Sequence, residues 1–148
     1  MQEKLKSIYA SQFLIVDEGL KAIDAYRNMP ANIKYFEIAR DALYKLAVTN
    51  WLMIFGEERR NNHITVGQLS KNLTESFGDG VAIFKSPCDI NIYVCEMKHI
   101  RDKYFSHFDI DDYEHGVKQY RLPSLDIAFE TFHAYQNYLI SISGHFKK

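Results

Sequence analysis

Arg101, Tyr104 and His107 follow one another at intervals of three in the segment Ile100-Arg101-Asp102-Lys103-Tyr104-Phe105-Ser106-His107-Phe108-Asp109. On a continuous helix they form one slanted ridge, about 9 Å from the first Cα to the last. Side chains at its two ends can lean toward a common point above Tyr104. A guanidinium forks onto the oxygens of a phosphate. An imidazole, with an ordinary pKa of about 6.5, accepts or delivers a proton at neutral pH. Arg and His around one anion are the smallest set that phosphoester chemistry needs. Asp102 lies between them in sequence but on a different face, where it can orient a neighbour or pair with Lys98 one turn back.

Arg101 also breaks a pattern. The row Ile90, Val94, Met97, Arg101, Tyr104, Phe108 has helical spacing, and Arg101 fills a slot that asks for an apolar residue. A guanidinium cannot shed its proton, so burying it without a partner is very costly. Something negative should meet it: a carboxylate of the fold, a partner subunit or a bound anion. The sequence leaves two readings open. Arg101 and His107 serve an anion, or Arg101 is paired in the core and His107 is a helix C-terminal histidine favoured by the dipole.

Four long amphipathic patterns must position these residues. The first runs from about Glu3 to Asn28, with Leu5, Tyr9, Phe13, Val16, Leu20 and Ile23 as its stripe and Pro30 as its stop. The second runs from about Asn32 to Glu58. It carries one stripe of Phe36, Ala39, Leu43, Leu46, Asn50 and Met53, and a second of Tyr44, Val48, Trp51 and Phe55. The C-terminal half of this helix is apolar on most of its circumference and must be covered on two sides, by a bundle core and by something further, for which a second subunit is a candidate. A short helix is expected at 65–77, opened by the capping box Thr65-Val66-Gly67-Gln68 and closed by Gly78. The third long helix starts at Ser86, a good N-cap before Pro87, with Asp89 as a capping carboxylate, and continues to about His107. The last follows Pro123 with Ser124 as N-cap, and its stripe is Leu125, Ala128, Phe132, Tyr135, Leu139 and Ile142. Each stripe can be hidden only against the others. The expected fold is therefore all-α, an antiparallel four-helix bundle with one short extra helix, as a single domain over residues 1–148.

Composition narrows the function classes. Three prolines and seven glycines supply too few turns for an all-β chain. A net charge of −1 gives no global basic field, so contact with nucleic acid must be local. The longest apolar run, Leu46 to Phe55, is half of what a bilayer requires, and the N-terminus lacks a signal peptide's apolar stretch. No membrane association and a cytoplasmic location are expected. Cys88 and Cys95 fit no metal pattern and read as reduced core thiols. His63, His99, His115, His133 and His145 form no ligand pair, and Asp109-Ile110-Asp111-Asp112 lacks the Gly and Glu of a calcium loop, so neither a metal nor another cofactor is expected. Arg59-Arg60-Asn61-Asn62-His63 reads as a solvated helix end. The ten tyrosines read as core-edge or interface residues before base-stacking ones.

The segment Ile100 to Asp109 resembles the signature of the HEPN superfamily: an Arg, a polar residue, a short spacer and a His. Here Asp102 is the polar residue, and five residues separate Arg101 from His107. With Arg-Asp-Lys and His-Phe-Asp it is most similar to HEPN domains of the abortive-infection type. The aromatic-rich second helix, the short intervening helix and the Leu122-Pro123-Ser124 opening of the last helix extend the likeness over about residues 1–145. Only the ten-residue motif is specific.

The resemblance implies a metal-independent endoribonuclease of toxin or antiviral-defence type. It implies a homodimer whose two motifs face each other, with RNA as substrate and an antitoxin as a candidate partner. His107 then acts on the ribose 2′-hydroxyl or the leaving oxygen, Arg101 stabilises charge on the phosphorane-like transition state, and Asp102 holds the motif's geometry. Lys103 and Tyr104 join as substrate-binding residues from the ridge. The sequence departs from nucleotidyltransferase-paired members, which carry a Tyr where Phe108-Asp109 stands here. Acidic Asp109, Asp111, Asp112 and Glu114 beside the motif oppose a tight RNA channel. Many members of the superfamily have lost catalysis, so the alternative is a non-catalytic dimerisation, interaction or RNA-binding domain. A bundle that binds a small ligand or nucleotide is a third.

Overall fold

The computed structural model of the chain describes residues 2–30, 33–56, 87–102 and 122–143. They form four helices: α1 (Gln2–Asn28), α2 (Lys34–Phe55), α3 (Pro87–Ile100) and α4 (Leu125–Ser143). The pairs that touch fix their directions. Tyr26 packs on Tyr44, while Asn50 reaches back to Ile15 and Glu18, so α1 and α2 are antiparallel. Arg27 pairs with Asp126 and Gln12 with Tyr135, so α1 and α4 are antiparallel as well. α2 and α4 therefore run the same way, with Tyr44 against Pro123 and Phe55 against Tyr135. The all-α helical bundle expected from the stripes is what the chain forms.

Trp51 is the centre of the core and is fully buried. Its ring meets Tyr93 of α3 edge-on at 5.0 Å and lies 5.1 Å from Phe55. Its indole Nε1 donates to Thr131 Oγ1 on α4 at 2.8 Å, so the one polar atom of the ring is satisfied inside the core. The α4 stripe behaves as the sequence predicts: Leu125, Ala128, Phe132, Tyr135 and Leu139 are buried and Ile142 is half-buried against them. On α1, Val16, Leu20 and Ile23 are buried, with Tyr9 and Phe13 packed at the core's edge. Ser124 caps α4 as predicted, its Oγ accepting from the Asp126 N–H at 3.1 Å.

Other expectations are corrected. Leu46 and Met53 of the second helix face outward, because Tyr44, Ala47, Val48, Trp51, Ile54 and Phe55 already fill its inner arc. On α3 the inner row is Tyr93, Met97 and Ile100, and Cys95 is an exposed thiol on the outer side. The Ser86 cap, the short helix expected at 65–77, the basic stretch at 59–63 and the acidic loop at 109–115 lie outside the described residues.

Tyr44, Tyr93 and Tyr135 are core residues, each with its hydroxyl donated: to Pro123 O at 2.6 Å, Ser124 O at 2.7 Å and Gln12 Oε1 at 2.5 Å. Burial pushes all three phenols well above their ordinary range. Neighbouring Tyr26 and Glu96 push Tyr44 further the same way. Such a phenol ionises more readily in the unfolded chain than in the fold. The stability it contributes is complete below pH ~10 and is lost as pH rises above that, by up to about 1.4 kcal/mol per pH unit for each tyrosine. Unfolding titrations in urea at rising pH should show stability falling steeply above pH ~10, and the fall should be shallower in Tyr135→Phe.

Gly19 lets α1 and α4 approach. A Cβ there would lie 2.7 Å from both Cε2 and Cζ of Phe132, a ring that is fully buried and has nowhere to go. Gly19→Ala should therefore destabilise by about 1–3 kcal/mol, against the helical preference for Ala. Chemical denaturation of Gly19→Ala alone and with Phe132→Leu checks this, and the double variant should recover part of the loss.

Candidate functional site

The residues singled out for chemistry begin where α3 ends. The inner face of α3 is anchored three ways: Tyr93 meets Trp51 edge-on and donates to Ser124 O, and Met97 and Ile100 are buried. Directly after Ile100 the backbone widens into a π-helical turn at Arg101 and Asp102. Turns of this kind recur at functional sites. In a regular helix, adjacent side chains diverge by about 100° and do not face each other. Here they do: Arg101 Nε donates to Asp102 Oδ1 at 2.8 Å.

This corrects the expected environment of Arg101. It is not embedded in the apolar row, because the inner face is set one position away, on Tyr93, Met97 and Ile100. Its side chain is 31% exposed and that of Asp102 is 56% exposed. The negative partner that the sequence demanded is the next residue along the chain, and not an acid of the core. The bond uses Nε and leaves the two Nη groups outside it. Lys103, Tyr104 and His107 lie outside the described residues, so the structure brings together Arg101 and Asp102 of the predicted set.

The end of the bundle at which α3 finishes also carries the end of α1 and the beginnings of α2 and α4. Two further arginines sit there. The Arg27 guanidinium lies 4.4 Å above the Phe129 ring and pairs with Asp126. The Arg40 guanidinium lies 4.3 Å above the Tyr26 ring. Sequence reasoning passed over both. Each looks like a solvated helix residue until the fold supplies the ring beneath it.

Among the described residues no group of three His, Cys, Asp or Glu side chains is placed to hold a metal ion, and no helix is long and apolar enough to cross a membrane. Compared with protein-family models, curated proteins and solved structures, the chain has no match.

An ion pair between two partly exposed groups contributes little to folding, of order 0–1 kcal/mol. Asp102→Asn should therefore shift the urea midpoint only slightly, by less than about 1 kcal/mol of stability. A larger loss in urea unfolding would make the pair structural.

Proposed function

We propose that the protein is a metal-independent endoribonuclease of toxin or defence type, acting as a cytoplasmic homodimer on RNA, with Arg101 and His107 as its catalytic pair. The observation that carries the reading is the Arg101–Asp102 pair: a guanidinium at a widened helix end, partly open to solvent and steered by the adjacent carboxylate. A cation held this way can meet a phosphate without first leaving the core.

The chemistry follows from the motif. His107 takes the proton of a ribose 2′-hydroxyl, and that oxygen attacks the adjacent phosphorus. The bond to the 5′-oxygen breaks, and that oxygen receives a proton. The products are a 2′,3′-cyclic phosphate and a 5′-hydroxyl. Arg101 stabilises the charge that builds on the phosphoryl oxygens, Asp102 fixes its direction, and Lys103 and Tyr104 contact the strand. An antitoxin that covers this end would silence it.

A second reading is favoured by the outer face of α2. Ile38, Ala42, Leu46, Thr49 and Met53 recur there at helical spacing, all exposed and none charged. In that reading the bundle is an interaction domain that docks through this stripe and cuts nothing.

RNA incubated with the purified chain in EDTA separates the two. The parent should generate 2′,3′-cyclic phosphate ends, and His107→Ala and Arg101→Ala should each cut more slowly by about a hundredfold or more. Equal cutting by parent and His107→Ala would sink the nuclease reading. No cutting by the parent, with self-association lost in Ile38→Glu, would establish the second.

A further inference from the structure

At the end of the bundle opposite Arg101, the first half of α1 and the last turns of α4 enclose a cavity of about 520 Å³, within the range of small-molecule sites. The two helices close on each other at Gly19, where a Cβ would strike the Phe132 ring, and the buried Gln12–Tyr135 bond holds them further along. From there toward the start of α1 a groove runs between them. Its walls are Tyr9 and Phe13 of α1 and Leu139 and Ile142 of α4. Its lips are Leu14 and Ile140, both more than half exposed.

The lining is graded along its length. Eight residues, about 12 Å, separate Lys6 from Leu14 along α1. At the Leu14 end the lining is hydrocarbon and aromatic. At the other end stand Ser143 and Lys6, the one charged residue among the described lining. Because α1 and α4 are antiparallel, counting outward from the Gln12–Tyr135 bond brings these two within a turn of each other. The Ser143 hydroxyl is already donated to Ile140 O at 2.7 Å, so the charge at this end is that of Lys6. Lys21 and Lys45 are each held by an aspartate one turn before, Asp17 and Asp41. Among the described residues no carboxylate holds Lys6 in that way, and Gln2 occupies the equivalent place. An apolar slot with a cation at one end only matches an amphiphile with one straight tail and one negative head.

We infer that this groove binds a free straight-chain fatty acid of about ten carbons, its tail along Tyr9, Phe13 and Leu139 and its carboxylate at the Lys6 ammonium. The site lies away from Arg101 and does not rest on the nuclease reading.

Sodium decanoate, kept below its micelle concentration, is titrated into the full chain by isothermal calorimetry. It should bind with one decanoate per chain. Octanoate should bind about tenfold more weakly, through the loss of two buried methylenes. Lys6→Gln should weaken decanoate about fivefold, the scale of one exposed ion pair, and leave decanol unchanged. Added salt should erode decanoate binding by the parent and not by Lys6→Gln. Ala10→Phe puts a ring into the groove from an exposed position of α1, and should abolish binding while circular dichroism stays that of the parent.

No saturable binding by the full chain, or binding unchanged in Ala10→Phe, overturns the site. Decanol bound by the parent as tightly as decanoate, or decanoate affinity untouched by Lys6→Gln, overturns the assignment to a fatty acid. Self-association of the parent that Ala10→Phe removes, with no decanoate present, makes the groove a contact between copies and overturns the inference as well.

Discussion

The bundle is organised around one buried side chain that three helices share. Trp51 belongs to α2, its face is closed by Tyr93 of α3, and its N–H is bonded to Thr131 of α4. An indole is large, and its donor needs a partner when it leaves water, so the contact is both greasy and directional. Sliding α4 by one turn would bury apolar surface equally well but would strand that donor. The same logic repeats outward from the centre. Tyr44 and Tyr93 tie the start of α4 through Pro123 and Ser124, and Tyr135 ties α4 to Gln12 of α1. Asn50 bonds the Ile15 carbonyl and holds α1 against α2. Apolar burial drives these helices together, and this small set of satisfied polar groups selects one register among the many that burial alone would allow.

That register also sets the surroundings of the end of α3. Because Tyr93, Met97 and Ile100 face inward, Arg101 falls on the flank and not in the core. A fully buried guanidinium would need a permanent core acid and could not exchange it for a ligand. A flanking one, paired with an adjacent carboxylate through Nε, leaves its two Nη groups outside that bond. The same end carries Arg27 and Arg40, each laid over an aromatic ring from a different helix. Each ring restricts the rotation of the side chain laid over it.

Periodicity made some of this legible from residues alone and hid the rest for definite reasons. The α4 stripe and its Ser124 cap could be read directly, because α4 has a single apolar arc and one clear stop signal before it. On α2 two apolar arcs lie side by side, and spacing does not say which one the neighbours choose; Leu46 and Met53 are exposed. On α3 a row through Ile90, Val94 and Met97 and a row through Tyr93, Met97 and Ile100 both satisfy the helical period. The choice between them turns on whether Tyr93 can reach Trp51, which is a tertiary fact. Cys95 was misplaced by the same ambiguity. The candidate site was legible as a motif centred on Arg101 and Asp102, while their mutual bond and the widened turn at the same residues are announced by no spacing. Arg27 and Arg40 gave no sequence signal, since their rings come from other helices.

The alternation of helix directions also bears on how the chain reaches its fold. α1 and α2 follow each other closely in sequence and meet along their length, so this pair assembles from contacts close in sequence. Docking α4 onto α1 joins residues 123 positions apart at Tyr135 and Gln12 and 99 apart at Arg27 and Asp126. Closing a loop of that size carries the larger entropic cost and is slow relative to local pairing. During synthesis the α1–α2 hairpin emerges first and must wait, with Trp51 and Val16 uncovered, until the last helix arrives. The seam between α1 and α4, notched at Gly19, is thus the part of the core that is closed by contacts farthest apart in sequence.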